Sequence, residues 1–259
     1  MLTNIREIGA YSSRNASKGA LIQELYQVVT SVKAYNREHI RRFIIDENGL
    51  NKSTYENRRV IYNRLFHRYF MVCPGWVGQS LALAANNGIQ SPEFLSLAYL
   101  YFVLRDRLSY DFVVSVLWKK WANGEQTVSP GDFIRFFGQI EESRPEVKIW
   151  REKTRNKIAS IDLSAFRDFG LLKGKVQKTI QRLPVSNETV FHLLSILWAE
   201  GKRGRAIIEA EDWRIFLWGE SDVASALNRI AQLGWIRFER GGQTVMLDLV
   251  RLPEVEDGC

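Results

Sequence analysis

The stretch WREKTRNKIASIDLSAFRDFGLLKGKVQKTIQRLP, from Trp150 to Pro184, concentrates positive charge: residues 151–182 hold nine Lys and Arg against three Asp and Glu. Ammonium and guanidinium groups at this density suit non-covalent binding of a polyanion, because each can neutralise a phosphate and release a condensed counterion. Lys148, Arg151 and Arg155 are spaced i, i+3, i+7 beside an apolar helical face of Trp150, Thr154, Ile158, Ile161, Ala165 and Phe169, and Lys153 falls in the same run. Past Gly170, Lys173, Lys175 and Lys178 stand on a segment that turns near Lys173-Gly174-Lys175. A second basic set, Arg58, Arg59, Arg64 and Arg68, follows the turn-rich DENGLNKSTYE, as a recognition helix follows its turn. All eleven are expected to contact DNA. The competing reading is a solvated basic face, or arginines paired with acidic neighbours.

Covalent and metal chemistry find less support. His39, His67 and His192 are far apart and share no motif with Cys73 or Cys259, so zinc-ligand spacing is absent. Two cysteines make no disulfide framework and suit a reducing cytoplasm. Gly170 to Lys175 has one residue too few between its glycines for a phosphate loop, and Val176 stands where Ser or Thr would meet magnesium. Asp106, Asp111, Glu211 and Asp212 could assemble a nuclease-like carboxylate site, but their spacing gives no reason to prefer this over solvated or ion-paired carboxylates. The expectation is therefore no catalytic residue, no metal and no cofactor.

The elements that must position the basic residues follow from periodicity and caps. A mainly α fold is expected: a helical N-terminal domain over 1–110, then two winged helix-turn-helix-like units with small β-hairpin wings over 111–183 and 184–259. In the first domain, helices are predicted over Lys18–Val32, Asn36–Ile45, a segment capped by Ser53 with Glu56, Val77–Ala85 and Pro92–Arg105. In the second, Asp111–Trp121, a helix starting at Ser129-Pro130 and the Trp150–Phe169 helix precede a hairpin over Leu171–Arg182. The third repeats the order, with Ser186 and Ser221 as caps, a short helix near Ala210–Trp218, and WIRFERGGQTVMLDL as a hairpin around Gly241-Gly242. The apolar run Phe94–Leu104 is too short to span a bilayer and reads as a buried helix; MLTNIREIGAYSSRN lacks the apolar core of a secretory signal. A cytoplasmic protein without membrane contact is expected.

Net charge is +7 and pI about 9.4, divided as +6 over 1–110, +5 over 111–183 and −4 over 184–259. The basic and acidic parts should meet different partners. The presumed recognition helix of the third unit, Ser221–Gln232, offers Asp222 and Arg229, is neutral overall, and is expected to pack or to meet a protein.

The segments SKGALIQEL, LAYLYFVLRDRLSYDFV, WREKTR, LSAFRDFGLLKG and EDWRIFL occur in this order. In order and spacing the chain resembles BrxA, the small protein of bacterial BREX phage-defence systems, over roughly residues 5 to 250. The resemblance implies a mainly α-helical, non-enzymatic, DNA-associated protein that works beside a methyltransferase, an ATPase and a phosphatase-like protein, with an N-terminal part compared in fold to a NusB-type antitermination protein. It carries over no catalytic residue and does not say which basic residues touch DNA. Double-stranded DNA is the expected partner, with other BREX proteins as further partners. The alternative is an adaptor that scaffolds larger BREX subunits. With about four to seven phosphate contacts from both basic regions, binding should be salt-dependent and weakly sequence-selective.

Overall fold

The computed structural model describes residues 5–71, 76–242 and 244–251. Cys73 and Cys259 lie outside them. The chain is mainly α-helical with small antiparallel β elements. The N-terminal part holds α1 (Ile22–Ser31), α2 (Arg37–Arg41), α3 (Tyr55–Leu65), α4 (Trp76–Ala85) and α5 (Pro92–Leu104). α2 and α3 each run on through a widened π turn, Arg42–Asp46 and Phe66–Phe70. Asn36 caps α2 through its side chain (3.0 Å to His39 N). α3 is capped by Thr54, which accepts from Asn57 N at 3.2 Å, and not by Ser53 as the Ser-x-x-Glu pattern suggests.

α5 is the axis of the molecule. Ser91 caps it and Pro92 begins it, and every residue from Phe94 to Leu104 is buried. A helix apolar on all sides has no solvent face, so it must be enclosed by others. α4, α11, α6, α10 and the π turn of α3 pack around it. None of the described helices is long and apolar enough to cross a membrane. Burial of α5 is matched by satisfied polar groups: the Tyr99 hydroxyl donates to Ile215 O (2.8 Å), and that of Tyr101 is hydrogen-bonded to His192 Nδ1 (2.9 Å).

The central part begins with α6 (Arg107–Phe112), which passes through a π turn at Val113–Leu117 into α7 (Trp118–Ala122). Then come β1 (Thr127–Val128), α8 (Pro130–Ile140), α9 (Pro145–Lys148), α10 (Glu152–Phe169), β2 (Leu172–Lys173) and β3 (Lys178–Ile180). The three strands are antiparallel in the order β1-β3-β2, with Val128 opposite Lys178 and Lys173 opposite Thr179. β1 has no counterpart in the sequence reading. Aromatic contacts join the helices: Phe112 stacks on Phe133 at 3.8 Å between centroids, and Phe169 meets Phe102 at 5.1 Å and Tyr99 at 5.6 Å. Gly174 turns the hairpin at φ +98°, and a Cβ there would lie 2.2 Å from Gln177 O, so only glycine fits.

The C-terminal part comprises α11 (Asn187–Ala199), capped by Ser186, then α12 (Arg205–Ile208), a 3₁₀ segment Glu211–Phe216, α13 (Glu220–Gln232) and the hairpin β4 (Ile236–Gly241) and β5 (Thr244–Leu249). α13 starts at Gly219 and not at Ser221, because the Asp222 carboxylate accepts from Gly219 N at 3.0 Å. One apolar core runs without interruption through all three parts. Arg182 grips Asp222 with two bonds, 2.8 and 2.9 Å, tying the central hairpin to α13.

Candidate nucleic-acid interface

α10 is amphipathic in a way its sequence explains. Ile158, Ala159, Asp162, Leu163, Ala165, Phe166 and Phe169 point inward and are buried. Lys153, Asn156, Lys157 and Ser160 recur at three- and four-residue steps on the opposite side and are exposed. Gly170, at φ +94°, ends the helix. The chain is not helical across Ile149–Arg151, so Lys148, at the end of α9, and Arg151, the residue before α10, do not continue the α10 wheel. Both are exposed nonetheless.

Arg155 corrects the sequence reading. It lies four and seven residues before Ala159 and Asp162 and so falls on the inward face, its side chain only 20% exposed. Its guanidinium donates to Glu141 (3.1 Å), Val147 O (2.9 Å) and Trp150 O (3.3 Å). It clamps the connection between α8 and α10.

On the hairpin, Lys173 and Lys175 are exposed, and Val176 between the strands is almost fully so at 95%. Lys178 is different: it is 6% exposed and its ammonium donates back to Lys175 O at 2.9 Å. Burial and then Arg167 lower its pKa. Lys178 closes the hairpin, its ammonium turned back onto the hairpin's own backbone.

The arginines of the N-terminal set are engaged within the chain. Arg68, in the π turn after α3, is 2% exposed and donates to Gly19 O (2.7 Å), Lys18 O (3.2 Å) and Asn15 Oδ1 (2.7 Å) above the Phe102 ring. Arg58 donates to Ile45 O at 2.7 Å, and Arg64 to Ser17 at 3.1 Å. Arg59 is exposed but held by Glu56 through two bonds, 2.9 and 3.0 Å. Arg58 and Arg64 are half-buried, so among these four only Arg59 is exposed, and it is held by Glu56. What misleads the sequence reading is that a buried structural arginine and a phosphate-binding one carry the same letter.

By contrast Lys148, Arg151, Lys153, Lys173 and Lys175 make no side-chain hydrogen bond or ion pair among the described residues. Neither does Lys157, which the sequence reading did not select, although its i+4 spacing from Lys153 places it on the same outer line.

The other chemical candidates are also placed. His67 is pushed down to about 3 by burial and by Arg14, Arg105, Arg68 and Arg64, and His192 to about 3 by burial, so both are neutral at pH 7. His39 is exposed beside Asn36. Asp111, Glu211 and Asp212 do meet, with Arg6, Arg107 and Tyr110, around a cleft of about 330 Å³. Asp106 instead caps α6, accepting from Ser109 N at 2.8 Å. The cleft carboxylates are occupied: Asp111 accepts from Tyr11 (2.5 Å), and Asp212 from Arg6 (2.5 Å) and Tyr110 (2.8 Å). Among the described residues, no group of three or more His, Cys, Asp or Glu is arranged to hold a metal ion.

Comparison with known proteins gives two matches of use. The family model described as BrxA matches residues 9–196, from the N-terminal segment into α11. Among solved structures, a crystal structure of an uncharacterized protein from Magnetospirillum magneticum superposes with a TM-score of 0.60 at 14% identity, covering 81% of this chain and 100% of that one. At that identity the likeness concerns the fold alone. No curated protein matches the sequence.

Proposed function

The chain belongs to the BrxA family, and so is a component of a BREX phage-defence system; on that premise we propose that it is a non-enzymatic double-stranded DNA-binding protein whose central part docks on the duplex as a winged helix. The observation that carries this reading is the set of six exposed cations, Lys148, Arg151, Lys153, Lys157, Lys173 and Lys175, on consecutive elements of that part and without a side-chain partner among the described residues. The order helix, strand, α8, the four-residue α9, α10 and hairpin, with the first strand on the outer side of the second hairpin strand, is compatible with a winged helix. α10, with 18 residues, is about 27 Å long, and a major groove about 12 Å wide admits such a helix. Lys153 and Lys157 then face the phosphates beside the groove, and Lys173 and Lys175 reach the backbone from the hairpin.

Binding of this kind is dominated by phosphates. With the N-terminal arginines engaged, about four to six contacts remain, and log affinity should fall with log salt at a slope of about −3.5 to −5.5. Two unrelated duplexes of equal length should bind within about tenfold of each other. Replacing Lys153 and Lys157 together by Glu should cut affinity at least about tenfold and flatten the slope by about 1.8. Affinity and slope equal to the parent's would remove the assignment.

The C-terminal part supports a second role in the same protein. It carries net −4, its α13 acids Asp222 and Glu220 are paired with Arg182 and Arg240, and Leu233, Met246 and Val250 are exposed on neighbouring elements. Net negative charge beside exposed apolar side chains suits another BREX protein better than DNA. A salt slope near zero, with DNA retained only when partners are added, would make the adaptor role the whole function.

A further inference from the structure

The outward line of α10 holds more than cations. Between and beyond Lys153 and Lys157 stand Asn156 and Ser160, both exposed, four residues apart and therefore one above the other on the helix. Neither side chain makes a hydrogen bond among the described residues. Ser164, one turn further on, behaves otherwise, its hydroxyl donating to Ser160 O at 2.8 Å. Asn and Ser in a helix interior usually bond the local backbone, and both are weaker helix formers than the Lys or Glu that solvated faces favour. On α10 these two polar groups point away from the helix, and they give it neither a cap nor an internal bond.

We infer that Asn156, assisted by Ser160, reads base edges in the groove that α10 enters, with adenine as the preferred partner of Asn156; this rests on the duplex reading above. An asparagine carboxamide offers one acceptor and one donor side by side. They match the N6 donor and N7 acceptor that adenine shows in the major groove. The flanking lysines are point charges that suit phosphates or guanine, and they fix the helix without distinguishing A·T from T·A. Ser160, one turn or about 6 Å along, is small enough for the helix to approach the bases and can donate or accept there. Helix α13 differs at its start. On α13, Ser225 bonds back to Ser221 O at 2.8 Å and acidic Glu220 and Asp222 lead the helix.

The test uses the full chain and a panel of equal-length duplexes in which each base pair of one sequence is changed in turn, read by fluorescence anisotropy at several salt concentrations. The parent should show a spread of about five- to tenfold that peaks where an A·T pair is replaced. Asn156→Ala should reduce the spread to under about twofold and leave the salt slope unchanged, since no phosphate contact is lost. Asn156→Arg should move the preference to a G·C pair, a gain that a misfolded variant could not show. Parental binding with a steep salt slope but no spread would overturn the inference and leave the duplex reading standing. So would an Asn156→Ala variant that keeps the spread, or one that weakens all duplexes equally with a flatter slope. Absence of any duplex binding by the parent would overturn both.

Discussion

Replacing Arg68 by Met separates a structural arginine from a DNA-binding one. The guanidinium is buried and donates three hydrogen bonds, to Gly19 O, Lys18 O and Asn15 Oδ1, at 2.7–3.2 Å. Burial lowers its pKa despite the attraction of Asp106 and Asp162, so the site holds the charge at a cost that its bonds must offset. Methionine fills much of the same volume over the Phe102 ring but leaves three acceptors, one buried and two part-buried, without this donor. At about 1–1.5 kcal/mol for each lost bond, the variant should be destabilised by about 3–5 kcal/mol. For a chain of this size that is a fall in Tm of roughly 6–15 °C. Differential scanning fluorimetry reads the Tm, and anisotropy at a temperature where both proteins are folded reads duplex affinity, expected to stay within about twofold of the parent. An unchanged Tm together with a fivefold or greater loss of affinity would mean that Arg68 meets DNA, and that the inward geometry described above is not the one that binds.

Asp162 tests the same polar cluster through pH. Burial and then Asp106 hold its carboxyl well above the usual carboxylate range. Such a group binds its proton more tightly folded than unfolded, so its contribution is present at ordinary carboxylate pH and lost as pH rises through the raised native value. The Tm advantage of Asp162→Asn over the parent should therefore grow as pH rises above about 4, the ordinary carboxylate range, and a constant difference would refute this. For His192, pushed from 6.5 down to about 3, the sign is opposite: stability is full above pH 6.5 and lost as pH falls toward 3. His192→Gln should reduce proton uptake on unfolding across that window by up to about one, read from stability against pH in urea titrations. Gly174→Ala puts a Cβ against Gln177 O at φ +98°, so it should deform the hairpin that carries Lys173 and Lys175. Its salt slope should be flatter by up to about 1.8, whereas a parental slope would show that the hairpin does not touch phosphates.

The helical framework was legible because it rests on local chemistry. Ser91-Pro92, Ser129-Pro130 and Ser186 start helices where their side chains and proline's fixed φ predict, and Gly170 stops one. The run Phe94–Leu104 reads as a buried helix and is one. The displaced starts at Thr54 and Gly219 show how weakly sequence distinguishes nearby cap candidates: Ser53 and Thr54 could each accept the bond, and at α13 the Asp222 carboxylate supplies the acceptor for Gly219 N in place of a Ser221 cap. β1 is invisible locally, since two residues carry no alternation and become a strand only by pairing with β3. The basic residues were legible as a population and not as individuals. Arg155 and Lys157 differ by two positions, which on a helix reverses the face, and a break at Ile149–Arg151 removes the reference from which the wheel was drawn.

The enclosure of α5 sets a timetable for synthesis. The helix is complete at Leu104, yet its hydroxyls at Tyr99 and Tyr101 find their hydrogen-bond partners on Ile215 and His192, and α11 closes one of its sides. A ribosome adds roughly the next hundred residues in about 5–20 s, and for that interval an apolar helix has no complete shelter. Nascent chains stalled before α11 should therefore bind hydrophobic-segment chaperones, and chains released after α13 should not. A gene truncated after the central basic part would then yield aggregate in place of a smaller DNA-binding protein, however well that part is suited to the duplex.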